Sequence, residues 1–209
     1  AAREIGIRWH RGLYAYWILV QPAQEDIEKG VFRWEKNDRE WGAVPEGMAI
    51  FANIGLPERV GAKGDSGHRP SSWKLNQPEA AYLKFVKAAV ERYDGDGKDD
   101  MPGLKVPIRH WQVENEPGLA GNRDWEGFAR IQEITYKAIK EACPEAVVAM
   151  GGQTGGGIAV FDGFYAPILE KLGGKCVDVY DLHYYGDAKL DWLGVQSVYE
   201  HIRKLLDEL

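Results

Sequence analysis

The amino-acid sequence predicts an α/β fold assembled from parallel strand–helix–strand units, and three observations predict it. Short apolar runs of strand length alternate along the chain with longer amphipathic stretches of helical period. Apolar residues make up 44% of the 209 and charged residues 28%, a balance that can bury a substantial core and that argues against a disordered or collagen-like chain. No linker, low-complexity tract or short-period repeat beyond this alternation divides the sequence, so residues 1–209 read as a single domain.

The elements follow in order. Ile5 to Arg11 alternates like a strand, and Met48 to Ile54 is a short apolar run of the kind buried on both faces. Between them, Trp34 to Glu46 is the place for a helix, although Gly42 and Pro45 crowd it. From Asn76, an N-cap candidate with Glu79 three residues on, Ala81, Tyr82, Phe85, Val86, Ala89, Val90 and Tyr93 keep the helical period. Val106 to Glu116 is the next strand. Asp124 to Ala142 is a helix stopped by Cys143-Pro144. Ala146 to Met150 is a strand, Phe161 to Leu172 a helix ended by Gly173-Gly174, Cys176 to Tyr184 a strand, and Val195 to Leu209 a helix.

Charge and composition limit the partners. Lys and Arg number 26 against 32 Asp and Glu, and the net charge of −6 disfavours a nucleic-acid or anionic-membrane surface. No apolar run approaches the length of a bilayer span, so no membrane role is expected. Cys143 and Cys176 lack metal-ligand or redox-motif spacing. Eight Trp, ten Tyr and six Phe are many aromatics for an acidic domain, and both sugar stacking and core packing use such rings.

The strand from Val106 to Glu116 departs from packing logic. One face presents Ile108, His110, Gln112, Glu114 and Glu116, the other Arg109, Trp111 and Val113. A central parallel strand should be apolar on both sides, and an unpartnered buried amide or carboxylate costs several kcal/mol, so this face implies a polar interior or cleft. Glu116 stands at the carboxyl end of the strand, where parallel α/β folds bind their ligands.

Trp111-Gln112-Val113-Glu114-Asn115-Glu116-Pro117 resembles the fourth-strand motif of the clan A glycoside hydrolases. Asp181-Leu182-His183-Tyr184-Tyr185-Gly186 is similar to the clan's sixth-strand His-x-Tyr motif. Gly6 to Arg11 with Trp17 and Pro22 resembles its second strand, and Gly30 to Trp34 with Asp38 the loop after it. The resemblance covers nearly the whole chain in the clan's order. It implies a (β/α)8 TIM barrel, here incomplete, running from about the second strand to the sixth helix, and a glycosidase acting on an oligo- or polysaccharide by a retaining mechanism without an organic cofactor.

The resemblance also implies roles. Glu116 matches the acid/base and Asn115 the residue that hydrogen-bonds the sugar 2-hydroxyl. His183 and Tyr185 match residues lining the sugar site, and Arg11 a second-strand arginine near its floor. Glu114 has parallels in some β-galactosidase-like members. It reads either as a site residue that tunes Glu116 or as a structural carboxylate held by Arg8, Arg11 or Arg109. The nucleophile of a retaining site belongs at the end of the seventh strand, and no seventh strand is found. Five βα units cannot close an eight-stranded barrel, so the expectations are a fragment of a longer enzyme, edges covered by a second chain, or a barrel built differently. A non-catalytic carbohydrate-binding chain and a half-barrel that assembles with a partner are the alternatives to a glycosidase.

Further expectations concern binding residues. Trp17, Trp73, Trp125 and Trp192 fall in or near strand-to-helix loops, where rings can stack on sugars, whereas Trp9 and Trp111 lie within strands and are expected in the core. Asn53, at the end of a strand, is a candidate sugar contact. The acidic run Asp94 to Asp100 resembles part of a calcium loop, with Asp94, Asp96 and Asp100 as ligands of a structural calcium, or is a solvated turn. Gly151 to Gly157 fits no phosphate-loop pattern, and these glycines are expected to let the backbone turn beside the cleft.

Overall fold

The computed structural model of the chain describes residues 4–56, 72–119, 123–155, 157–185 and 192–209. Four strands, β1 (Trp9–Tyr16), β2 (Ala49–Gly55), β3 (His110–Val113) and β4 (Val147–Met150), form one parallel sheet in sequence order. After β1 come α1 (Trp17–Val20), α2 (Gln24–Lys29) and α3 (Glu35–Gly42). Helix α4 (Glu79–Tyr93) connects β2 to β3, and α5 (Trp125–Ala142) connects β3 to β4. Beyond β4, α6 (Gly157–Val160) and α7 (Ala166–Leu172) flank a π-helical turn at Phe161–Tyr165, and α8 (Trp192–Glu208) is last. The described residues thus make an open arc of βα units, an incomplete barrel. Among them no helix is long and apolar enough to cross a membrane.

Several elements differ from the sequence-based expectation, each for a physical reason. The first strand lies at Trp9–Tyr16 rather than 5–11. Gly12, at φ +99°, sits at a bulge between Arg11 and Leu13 that resets the alternation, so Leu13 and Ala15 are buried. Ile5 and Ile7, which suggested the earlier start, are exposed, and Trp9, expected in the core, is 52% exposed on the edge strand. Helix α4 starts after Pro78 instead of being capped by Asn76, because the residue before a proline is steered away from helical dihedrals. Residues 176–184 make only two isolated bridges, Ala149 with Val179 and Gln153 with Leu182. With pairing described on one side only, this apolar run forms an extended segment rather than a full strand.

Helices α4 and α5 pack beside each other outside the sheet. Alternation along β3 turns Trp111 and Val113 toward the helices, where Trp41 meets Trp111 at 5.9 Å and Tyr93 at 4.0 Å. Trp17 packs on Tyr82 and Phe85 at 5.4 and 6.1 Å, and Trp34 extends the cluster to Phe85 and Tyr93. Each of the fully buried rings, Trp17, Tyr82, Phe85, Tyr93 and Trp111, contributes roughly 1.5–3 kcal/mol. Asp38 ties α3 to α4 by accepting from Arg92 Nε at 2.9 Å and from the Tyr93 hydroxyl at 2.7 Å. Most of the aromatic excess is therefore structural.

Candidate active site

The register places Tyr14, Asn53 and Gln112 side by side on neighbouring strands. Asn53 and Gln112 are fully buried on the face away from the helices, and they hold each other: Asn53 Nδ2 donates to Gln112 Oε1 at 2.8 Å. Arg11 Nη2 donates to the same oxygen at 2.7 Å, and Gln112 Nε2 donates to Asp181 Oδ2 at 2.6 Å. Both ends of the Gln112 amide are thus engaged in a connected network, which favours its burial, while Asn53 Oδ1 is left without a partner among the described residues.

At the carboxyl end of the sheet this network carries a cluster of side chains. His183 Nδ1 lies 2.7 Å from Glu116 Oε1, and its Nε2 lies 2.9 Å from Asp181 Oδ2. Arg11 Nη2 stands 3.1 Å from that Nε2 and donates to Asn115 Oδ1 at 2.9 Å. Glu116 and His183 are mostly enclosed, their side chains 17% and 13% exposed. Arg11, Asn115, Glu116 and His183, drawn from three separate stretches of sequence, meet here.

The electrostatics follow from these contacts. His183 has its pKa raised, first by the hydrogen bond to Asp181, against the opposing effect of burial, and further by the hydrogen bond to Glu116. Burial raises Asp181, but the hydrogen bonds from His183 and Gln112 outweigh it and hold the carboxyl below its ordinary value. As imidazolium, His183 donates to both carboxylates. As neutral imidazole with its proton on Nδ1, it would still donate to Glu116 but would leave Nε2 facing the Asp181 carboxylate at 2.9 Å with no proton between them. The geometry with carboxylates at both ring nitrogens therefore fits the imidazolium form.

Other expected site residues lie elsewhere. Trp17 is fully buried, its indole N–H donating to Gln21 Oε1 at 2.7 Å, and Trp73 is 4% exposed against Phe128, so neither ring offers a face to a sugar. Both are drawn into the helical layer, Trp17 against Tyr82 and Phe85 of α4 and Trp73 against Phe128 of α5. Asn53 is buried, and its Nδ2 is spent on Gln112 and on the Glu114 carbonyl at 2.8 Å, so it supports the site from beneath. Glu114 does not continue the face of Gln112. It takes φ +62°, and its buried carboxyl accepts from the Leu56 N–H at 2.6 Å. Tyr185 is 82% exposed with its ring against Gly155, because the pairing that orders His183, from its N–H to the Gln153 carbonyl at 3.0 Å, does not extend to it. The Trp192 side chain lies outside the described residues.

Four residues at or beside the site were not singled out as site residues from the sequence. Asp181 and Gln112 were visible as polar residues on strand faces that share a side with His183 and Glu116. Tyr14 and Tyr16, stacked at 5.0 Å, lie on the same face of β1 as Arg11 only because of the bulge at Gly12. The glycines after β4 allow close approach: a Cβ on Gly151 would stand 2.6 Å from Pro117 Cδ. On the opposite end of the sheet, between α4 and β3, ligand oxygens of Asp94, Asp96 and Asp100 lie within 4.8 Å of one another. Backbone N–H groups of Gly95 and Gly97 donate to Asp100, and that of Lys98 to Asp96.

No family model and no curated protein matches the chain. Solved structures do. A glucosidase from Croceicoccus marinus superposes with a TM-score of 0.68 at 14% identity, over 99% of this chain and 44% of its own. A family 39 glycoside hydrolase from Bacteroides cellulosilyticus WH2 gives 0.60 at 20% identity, over 87% and 33%. A β-galactosidase from Marinomonas ef1 gives 0.58 at 14%, over 88% and 37%. These likenesses show the fold: the chain is built like part of a TIM-type α/β barrel. It spans less than half the length of each of these three structures.

Proposed function

We propose that this chain carries the acid/base side of a retaining glycoside hydrolase site for an oligo- or polysaccharide, with Glu116 as the acid/base. The observation that carries this reading is the 2.7 Å contact between Glu116 and His183 at the carboxyl end of β3, beside an Asn115 whose amide is oriented by Arg11. Protonated Glu116 gives its proton to the departing glycosidic oxygen. As carboxylate it then takes a proton from the attacking water. Positive charge on His183 stabilises the carboxylate between those steps.

Asn115 has a defined part. Because its Oδ1 accepts from Arg11, its Nδ2 is left to donate, which suits a sugar hydroxyl near the anomeric carbon. Asp181 is not poised as nucleophile: it lies on the far side of the His183 ring and is committed to Gln112. The second carboxylate of a retaining pair should lie about 5–5.5 Å from the first. We place it on a strand other than the four paired strands and the extended segment 176–184, so that the 209 residues alone bind sugar but do not turn it over. No organic cofactor enters this chemistry. A structural calcium at Asp94, Asp96 and Asp100 is proposed separately, as a device that relieves repulsion among three crowded carboxylates.

The test is a pair of measurements on the chain. Calorimetry with gluco- and galacto-oligosaccharides should show binding, and aryl glycosides should release no chromophore. Absence of any sugar binding would remove the carbohydrate reading. Turnover that disappears in Glu116→Gln would keep that reading but place the nucleophile within this chain.

A further inference from the structure

Two consecutive residues of a strand point to opposite faces, yet Asn115 and Glu116 both reach the Arg11–His183 cluster. The alternation breaks at the residue before them. Glu114 has φ +62°, a left-handed conformation that glycine and asparagine adopt readily and glutamate rarely.

The end of β2 grips this residue at three points. The Glu114 N–H donates to the Ile54 carbonyl at 2.9 Å, and its carbonyl accepts from Asn53 Nδ2 at 2.8 Å. Its carboxyl accepts from the Leu56 N–H at 2.6 Å. The slot for that carboxyl exists because residue 55 is glycine: a Cβ there would stand 2.9 Å from Glu114 Oε1 and 2.8 Å from the Tyr16 ring.

We propose that Glu114 is the positioning residue of the Asn115–Glu116 pair: its buried carboxyl, bonded to the Leu56 N–H, holds the left-handed turn that presents two successive side chains to one cluster. Its role is neither sugar contact nor electrostatic tuning of Glu116. Burial pushes the Glu114 carboxyl up to about 8, so near neutral pH it sits in its slot as the uncharged acid, in keeping with its 6% exposure. The catalytic consequence rests on the reading of Glu116 as acid/base, but the geometry does not, and the test avoids turnover for that reason.

Four variants and two readouts decide the matter: hydrogen exchange at the Leu56 amide, and the titration of the His183 ring by nitrogen-15 NMR. Glu114→Gln keeps an acceptor and should preserve both. Glu114→Gly permits the turn but removes the carboxyl, and Leu56 should exchange at least about tenfold faster. Glu114→Val opposes positive φ, and His183 should lose the part of its raised pKa that comes from Glu116. Val90→Ala, in the helical layer, serves as a control for general destabilisation and should leave His183 unchanged. A folded Glu114→Val protein with wild-type His183 titration would overturn the proposal. Should that variant fail to fold, wild-type Leu56 protection in Glu114→Gly would overturn it equally.

Discussion

Gly152 and His183 meet backbone to ring: a Cβ on Gly152 would lie 2.4 Å from the imidazole Nε2. That imidazole is held at both nitrogens, by Glu116 and Asp181, and cannot swing aside without breaking one of the two bonds. Gly152→Ala is therefore expected to displace the ring while leaving the helical layer intact. The His183 pKa should fall toward the ordinary imidazole value, read by NMR titration, and sugar affinity should drop about tenfold or more in calorimetry.

Stability should depend on pH through Glu114 and His183, and both act in the same direction. A carboxyl whose folded pKa is about 8 against an ordinary 4.5 favours the folded state fully below about 4.5, and that favour is lost as pH rises through 8. His183, raised above 6.5, contributes fully below 6.5 and loses its contribution as pH rises through the folded value. Urea midpoints measured from pH 5 to 9 should decline, and Glu114→Gln should flatten the decline. A midpoint independent of pH in the wild type would contradict the burial of Glu114 as an acid.

Asp181 has the opposite sign. Its depressed pKa stabilises the fold above the ordinary value of 3.8 and is lost as pH falls through the folded value. Asp181→Asn should weaken the acid-side transition and lower the His183 pKa, because the hydrogen bond to Asp181 is the largest cause of that elevation.

Trp17 and Trp73 distinguish core rings from sugar platforms. Trp17→Ala should cost about 3–5 kcal/mol in chemical denaturation, in line with loss of a buried aromatic. A more conservative Trp17→Phe protein, if folded, should bind oligosaccharide as the wild type does. Loss of binding without loss of stability would return the ring to the sugar site.

Calcium should act on stability alone. Millimolar calcium is expected to raise the thermal midpoint of the wild type and not that of Asp96→Asn. The acidic turn lies at the end of the sheet away from Glu116, so sugar affinity should not respond.

Much of the site was legible because its residues conflict with simple burial. Gln112 and Glu116 on a central parallel strand signalled a polar interior, and His183 and Arg11 were singled out by their motifs. Glu114 illustrates what could not be read: nothing in a glutamate announces φ +62°, which depends on a slot opened by Gly55 and an acceptor-seeking N–H on Leu56, both more than fifty residues away in sequence. Trp17 and Trp73 read as sugar platforms from their place at strand-to-helix loops, and the packing of Phe85 and Phe128 against them puts both in the core. The first strand was misplaced because Ile5 and Ile7 alternate correctly on a segment that is exposed, while Gly12 hides the period of the true strand.

Glu116, Asn115, Arg11 and His183 are proposed to form a sugar-binding acid/base centre. The most direct test is titration of isotopically labelled chain with gluco- and galacto-oligosaccharides while the Glu116 carboxyl carbon and the His183 ring nitrogens are observed. The account predicts saturable shifts at both residues with a common dissociation constant, abolished by Arg11→Ala. Sugar-induced shifts confined to other parts of the molecule, with Glu116 and His183 unmoved at saturation, would contradict it.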